Sequence, residues 1–324
     1  MVDGNSDADD ARGVAAWSRL MHIGAHEGDT STRPELAELG VDDVHRICVR
    51  AWKYSRNDFE PDTWVELRRS QWRETCALAG SIAESLMLGS AAYIEAVWHQ
   101  RAISAETEPA GMALAQRYLA DGAIDDVVSV GHRLANFVVR VARTSSAAQA
   151  GLDSVERLRA LGSIYVPFAT DDHNAWLSLN SGTVARLRQV LDLTLHAASL
   201  DALDDLVASP EWIAAVSDRA ERFHRWRKEN EYVIGVDAES GTARDIYDAT
   251  NQHIGRAVGG HGRRHKISDG LTVKNTDAAG SGLRRIAQTL DTILTNTVEV
   301  VLPGQHNGFT VSIDDPNRIG TRRI

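Results

Sequence analysis

Apolar residues recur at three- and four-residue steps through most of the chain, which is the spacing of one buried face of an α-helix. The clearest run begins at Asp62 and comprises Trp64, Val65, Leu67, Trp72, Cys76, Leu78, Ile82 and Leu86. Charged residues fill the positions between them. The pattern predicts an all-α protein in which amphipathic helices pack as a multi-helix bundle.

The same spacing predicts an N-terminal helical region over residues 34–165, preceded by a partly disordered tail over 1–33. Gly89 is predicted to separate the helix that starts near Asp62 from the next one, because glycine disfavours a helix interior. The helices predicted beside the Asp62 helix are 41–53, 91–103, 112–119, 124–143 and 152–161. Each has an apolar stripe opposite charged residues.

The helical periodicity of apolar residues stops between residues 162 and 180, where Pro167 and the acidic pair Asp171 and Asp172 lie. This interruption predicts a domain boundary, followed by a second helical bundle over 170–303 and a loose tail over 304–324. His173 follows the two acids, but a solvated turn is the better interpretation of this cluster than a site.

Start and stop signals predict the helices of this second region. Ser181 or Thr183 is expected to cap a helix ending near 198, and Ser209 followed by Pro210 predicts a helix reaching about 232, since serine caps free amides and proline suits a first turn. Further helices are predicted over 242–258 and 281–301. Pro303 should stop the last one.

Between those last two helices the sequence predicts a glycine break and a small β-hairpin. The pair Gly259-Gly260 should end the preceding helix, because glycine adopts the left-handed conformation that closes helices. Residues 265–274 then form the expected hairpin, with Asp269-Gly270 at its turn.

Composition narrows the class of protein. The 324 residues are 43% hydrophobic and 25% charged, with a formal net charge of −10. A globular protein is expected, and a protein that coats nucleic acid by bulk attraction is excluded, because an acidic surface repels phosphate. Any contact with RNA must use a local basic patch.

Several features point to the cytoplasm. Cys48 and Cys76 both fall in apolar helical patterns and are expected to be buried thiols in a reducing compartment. The acidic N-terminus lacks the apolar run of a secretory signal. The apolar stretch 127–142 contains His132, Arg133 and Arg140, so it is too short and too polar to span a bilayer. No membrane association is predicted.

One local basic patch exists, which we call the basic segment, residues 250–267. It contains no acidic residue, and its basic residues are His253, Arg256, His261, Arg263, Arg264, His265 and Lys266. Here alone an acidic protein offers phosphate an attractive surface. Arg263, Arg264, His265 and Lys266 are therefore predicted to bind the RNA backbone.

Within the basic segment, Arg256 and His261 form a candidate catalytic pair. A guanidinium can stabilise charge on a transferring phosphate, while imidazole can move a proton at the 2′-hydroxyl or at the leaving oxygen. This chemistry requires no metal and no cofactor. The spacing alone is common, since Arg219 and His224 repeat it within a predicted helix, where a solvated face is the better interpretation. A polar helix end with basic residues near its carbonyls is the alternative for Arg256 and His261.

The order of features around DIYDATNQHIGRAVGGHGRRHKISDGL resembles the C-terminal half of the HEPN (higher eukaryotes and prokaryotes nucleotide-binding) domain family. The resemblance covers roughly residues 209–302. It implies a HEPN-like helical bundle, often homodimeric, acting as a metal-independent endoribonuclease in toxin-antitoxin or phage-defence systems, with an antitoxin or defence partner protein. Arg256 and His261 match the family's catalytic positions.

Two departures leave the activity open. Ala257 stands where the family usually has a polar residue, and the tandem glycine permits an alignment shifted by one, which would put Gly255 and Gly260 at the catalytic positions. The alternative is then a non-catalytic helical interaction protein, a degenerate HEPN domain that binds a partner or a nucleotide.

Other candidate sites are weaker. His253, His261 and His265 lack a carboxylate or cysteine companion, so no metal site is predicted. The tryptophans of the N-terminal helices, Trp52, Trp64, Trp72 and Trp98, are expected in the core or an interface and not as base-stacking platforms. A DNA-binding regulator would need a recognition helix with exposed arginines, and none is evident.

Overall fold

The computed structural model describes residues 39–55, 59–61, 69–103, 110–144, 163–165, 176–224, 231–232, 243–258, 270–302 and 304–306. Its helices are α1 (Asp42–Ser55), α2 (Arg69–Ile103), α3 (Ala110–Thr144), α4 (Ser181–Val190), α5 (Leu193–Ala208), α6 (Pro210–His224) and α7 (Leu271–Asn296), which continues into a π-helical turn at Thr297–Val301. The predicted all-α, multi-helix fold is confirmed.

Short strands accompany the helices in antiparallel pairs. They are β1 (Phe59–Pro61), β2 (Ser163–Tyr165), β3 (Trp176–Leu177), β4 (Ala243–Tyr247), β5 (His253–Val258) and β6 (Gly304–His306). β1 pairs with β6, β2 with β3, and β4 with β5. The β4–β5 pair occupies 243–258, where a helix was predicted, so that prediction is wrong.

The two longest helices, α2 and α3, run antiparallel along each other. Thr144, at the end of α3, contacts Thr75, near the start of α2. Arg133, earlier in α3, binds the carbonyl of Ser81, later in α2. The predicted break at Gly89 is wrong, because α2 continues through it. A β-carbon at Gly89 would lie 3.1 Å from atoms of Asp126 and of Leu283, so the glycine permits close helix packing. The predicted helices 112–119 and 124–143 are likewise one helix, α3.

The predicted helix from 181 to 198 is divided in two. Asn180, and not Ser181 or Thr183, caps α4, and its side chain accepts a hydrogen bond of 2.9 Å from the Thr183 amide. Leu191 is extended, and Asp192 then caps α5 through the Thr194 amide. The new cap at Asp192 lets the chain turn and start a second helix.

The start of α6 at Pro210 is confirmed, with the Ser209 hydroxyl 3.3 Å from the Trp212 amide. The described part of this helix ends at His224. Residues 225–230 lie outside the described part of the chain, and 231–232 form a bend, so the predicted end near 232 is not reached.

Helix α7 begins earlier than predicted, at Leu271 and not at Ser281. It follows Gly270, which has a φ of +69°, and the Glu231 carboxylate accepts hydrogen bonds from the Leu271 and Thr272 amides at 2.9 and 3.2 Å. A carboxylate at this position satisfies free amides of a first turn. Residues 271–274 are thus helical, which contradicts the predicted hairpin at 265–274; 261–269 lie outside the described residues.

Residues of both predicted regions share one buried core. Helix α7 packs against α1, α2, α3, α5 and α6, and its Leu283, Ile286, Leu290 and Ile293 are fully buried. The predicted boundary at 162–180 therefore does not divide the core. The interval 152–161, another predicted helix, lies outside the described residues.

Within the described residues, one helical stretch, Glu74–Ile103, is long and apolar enough by composition to cross a membrane. In its most apolar window 61% is buried inside the bundle, as in the core helix of a soluble protein. Cys48 and Cys76 are buried thiols that form no disulfide, as predicted, and burial raises the pKa of each to about 12.

Candidate nucleic-acid interface

The strands β4 and β5 form a hairpin, residues 243–258, which we call the hairpin arm. Asp245 pairs with Arg256 and Ile246 with Gly255, and an irregularity then brings Tyr247 opposite His253. Among the described residues these strands contact chiefly each other, so the arm is set apart from the described helical core. Most side chains between residues 245 and 256 are exposed.

The turn of the hairpin arm is built around Asp248. Its carboxylate accepts hydrogen bonds from the Thr250 hydroxyl at 2.6 Å and from the Thr250 and Gln252 amides at 2.8 and 2.9 Å. Asn251 adopts a φ of +63°, a left-handed conformation that asparagine tolerates. The hydrogen bonds, led by that of the Thr250 hydroxyl, lower the pKa of Asp248.

Four polar or aromatic side chains meet on one face of the arm. The Asp245 carboxylate lies 3.5 Å from Arg256 Nε and 3.4 Å from His253 Nε2. The His253 ring meets the Tyr247 ring edge-on, with centroids 5.5 Å apart. The side chain of Arg256 is 66% exposed, so Asp245 holds it only loosely. Ion pairs this exposed contribute about 0–1 kcal/mol.

Apolar groups are exposed beside that polar face. Ile246, Tyr247 and Ile254 are 43, 54 and 62% exposed. A hairpin that presents arginine, histidine and tyrosine together has the groups that bind phosphate and stack on bases. The chemistry available to this arm is recognition of an anionic, planar or extended partner.

The structure describes one of the predicted site residues. Arg256 lies in the middle of a strand and not at a helix end, so the alternative of a polar helix end is also excluded. Gly255, the residue of the shifted alignment, precedes it in the same strand. His261, Arg263, Arg264, His265 and Lys266 lie outside the described residues, as does the Gly259-Gly260 pair. They follow the arm directly in the chain.

Arg219, of the second arginine and histidine pair, takes part in ion pairing. Arg219 Nε lies 3.8 Å from Asp125, and the nearby Arg222 binds Asp218 at 2.9 Å and Asp125 at 3.0 Å. The contacts with Asp125 join α6 to α3. They are structural ion pairs, which the sequence pattern did not indicate because Asp125 is distant in the chain.

Polar residues inside the bundle also have structural partners. Asn136 donates to the Leu177 carbonyl and accepts from the Leu177 amide, both at 2.9 Å. One turn earlier, His132 Nδ1 accepts from the Leu179 amide at 3.0 Å, and burial lowers its pKa to about 4. Together they fasten residues 176–179 to α3.

No group of three or more histidine, cysteine or acidic side chains in the described residues could hold a metal ion. Trp52 packs against the core, as predicted. Trp98 is partly buried, and its prediction as a core or interface residue stays a prediction. Trp64 lies outside the described residues.

Comparison with protein-family models, with curated proteins and with solved structures found no match to this chain. The groups that indicate a function are therefore those of the hairpin arm and the basic segment.

Proposed function

We propose that the hairpin arm and the basic segment bind RNA. The observation that carries the proposal is the exposure of Arg256, His253 and Tyr247 together on an arm set apart from the core. Arginine forks onto phosphate oxygens, and aromatic rings stack on unpaired bases. Because the net charge of the chain is −10, an RNA phosphate can be attracted only by a local cluster of positive charge such as this one.

The finer proposal is metal-independent RNA cleavage in a HEPN-like manner. Arg256 stabilises the phosphate, His261 moves the proton, and Arg263, Arg264 and Lys266 hold the backbone. In this proposal the protein is a cytoplasmic homodimer that acts with an antitoxin or a phage-defence partner. Its support is the sequence order of Arg256, His261 and the basic residues after them, together with the exposure of Arg256. The helix that the resemblance implies before Arg256 is a strand, so the structural part of the resemblance gives no support.

A non-catalytic interaction protein is the second candidate, and two observations favour it. Asp245 sits 3.5 Å from Arg256 and reduces the positive charge that phosphate would meet. Ile246 and Ile254 add exposed apolar surface of a kind that protein partners cover. In this second candidate function, the arm binds a partner protein and does not cleave RNA.

RNA binding is tested by fluorescence anisotropy with a labelled single-stranded RNA over a range of salt concentrations. Arg256→Ala should weaken binding about fivefold or more and flatten the salt dependence, because one charged phosphate contact is lost. Asp245→Asn should strengthen binding, since it removes the carboxylate beside Arg256. Arg46→Ala is the matched control, because Arg46 is also exposed and also paired with an aspartate, Asp43.

Equal effects of Arg256→Ala and Arg46→Ala would remove the RNA-binding proposal. Cleavage is followed separately, with the same RNA in the presence of a chelator. His261→Ala should abolish cleavage and leave most of the binding. RNA that is bound by the wild-type protein but remains intact would decide for the non-catalytic candidate.

A further inference from the structure

A groove of about 580 Å³ lies between α7 and the corner that joins α5 to α6. On α7 its wall consists of Ser281, Arg284, Arg285 and Gln288, which are spaced along one helix face. Asp205, Ser209 and Glu211 line the facing wall. The volume falls in the range of small-molecule sites.

The two arginines of this groove have no partner in the described part of the chain. Neither guanidinium lies within 4.0 Å of a carboxylate or makes a hydrogen bond there, and Arg285 Nε is buried without an acceptor. Elsewhere Arg50, Arg188 and Arg222 each bind an aspartate. Arginine cannot lose its charge. The unpaired guanidinium groups therefore leave the groove with donors that an outside acceptor would satisfy.

The start of α6 also borders the groove. Pro210 has no amide hydrogen, the Trp212 amide is capped by the Ser209 hydroxyl, and the Glu211 amide makes no hydrogen bond among the described residues. A helix of 15 residues begins there. Its first turn carries a partial positive charge that favours an anion.

We propose that this groove binds the phosphate group of a small molecule, with Arg284 and Arg285 as the principal ligands. Two adjacent guanidinium forks match the oxygens of one phosphate better than they match a single carboxylate. The guanidinium of Arg284 lies beside Gly40, which has a φ of +66° and where a β-carbon would lie 3.2 Å from Arg284 Nη1. Asp205 and Glu211 limit affinity for a bare anion.

The test is isothermal titration of the full chain with inorganic phosphate and with glycerol 3-phosphate, at constant ionic strength and against a chloride blank. Saturable binding is expected for wild-type protein. Arg285→Ala should weaken it about tenfold or more, as expected for loss of a charged hydrogen bond, and Arg285→Lys should weaken it too, because it keeps the charge and loses the fork. Arg46→Ala is the control and should bind as the wild type does.

Glu211→Gln supplies a result that does not depend on disturbing an arginine. Removing this carboxylate should strengthen phosphate binding severalfold, since a repelling charge is lost. Tighter binding of glycerol 3-phosphate than of inorganic phosphate would identify a phosphomonoester as the ligand class, and the reverse order would identify free phosphate. Absence of saturable binding, or equal affinities for wild type, Arg285→Ala and Glu211→Gln, would overturn the proposal.

Discussion

At the scale of single residues, glycines inside the long helices mark close contacts and not breaks. A β-carbon at Gly131 of α3 would overlap the Trp212 ring, and one at Gly280 of α7 would lie 2.7 Å from the Tyr93 ring. Gly122, also in α3, would meet nothing within 4 Å. Glycine is therefore required at the first two positions by packing and is only a weak helix former at the third.

Gly131→Ala should destabilise the protein by about 1–3 kcal/mol, because the buried Trp212 has to shift. Gly122→Ala is the matched control in the same helix and should stabilise it by up to about 1 kcal/mol, the difference in helix propensity. Urea unfolding followed by circular dichroism measures both. Equal effects of the two substitutions would show that the Trp212 contact does not restrict position 131.

At the scale of elements, the sequence predicted helices well where their ends have local signals. The start of α6 at Pro210 follows from Ser209-Pro210, and the helix predicted over 41–53 from its apolar stripe lies close to α1. The hairpin arm was missed because its apolar residues, Ile246, Tyr247 and Ile254, also fit a helical stripe. The available signal was the turn sequence that starts at Asp248 and includes Asn251.

The site was predictable only in part, for a related reason. The basic residues of 250–267 are evident from the sequence, but Asp245 enters the cluster from the opposite strand. That contact exists because β4 pairs with β5. In a helix, Asp245 and Arg256 would be about three turns apart along the axis and could not form it. The unpaired arginines of the α7 groove could not be predicted from the sequence. The α5–α6 corner, which forms the facing wall, reaches them only in the tertiary structure.

Asp248→Ala should open the hairpin arm and leave the helical core intact. The substitution removes the acceptor of three hydrogen bonds in the turn, and the arm packs mainly on itself. Amide hydrogen exchange over 243–258 should become faster, while the urea midpoint stays unchanged. Asp192→Ala is the comparison, since that aspartate caps α5 within the bundle and its loss should lower the midpoint.

Acidification should also open the arm of the unmodified protein. The pKa of Asp248 is lowered in the folded state, so the turn has its full support above the ordinary aspartate value and loses that support as the pH falls through the lowered pKa. Slow exchange in Asp248→Ala at neutral pH would contradict the role of this carboxylate.

At the scale of the whole molecule, buried ionisable groups link stability to pH with opposite signs. His196 is 1% exposed, its Nε2 has no hydrogen-bond partner in the described part of the chain, and burial lowers its pKa from 6.5 to about 4. Asp126 lies between α2 and α3, and burial raises its pKa from 3.8 to about 6. The fold thus favours a neutral histidine and a protonated aspartate.

The free energy of unfolding should decrease as the pH falls from about 6.5 to 4. In that interval the unfolded chain binds the proton of His196 and the folded chain does not, so the contribution of His196 is complete above pH 6.5 and is lost toward pH 4. Its size is about 3 kcal/mol. His132, whose pKa burial also lowers to about 4, acts in the same direction.

Asp126 opposes this trend between pH 6 and 3.8, because there the folded state binds the proton more tightly than the unfolded state does. Urea unfolding at a series of pH values should therefore show a shallower acid loss for His196→Leu than for the wild type. Asp126→Asn should show a steeper loss and greater stability at pH 7, since an ionised, partly buried carboxylate is replaced by a neutral amide. Parallel pH profiles for wild type and His196→Leu would mean that the buried imidazole is not coupled to folding. The loss of stability in acid would then have to come from other groups.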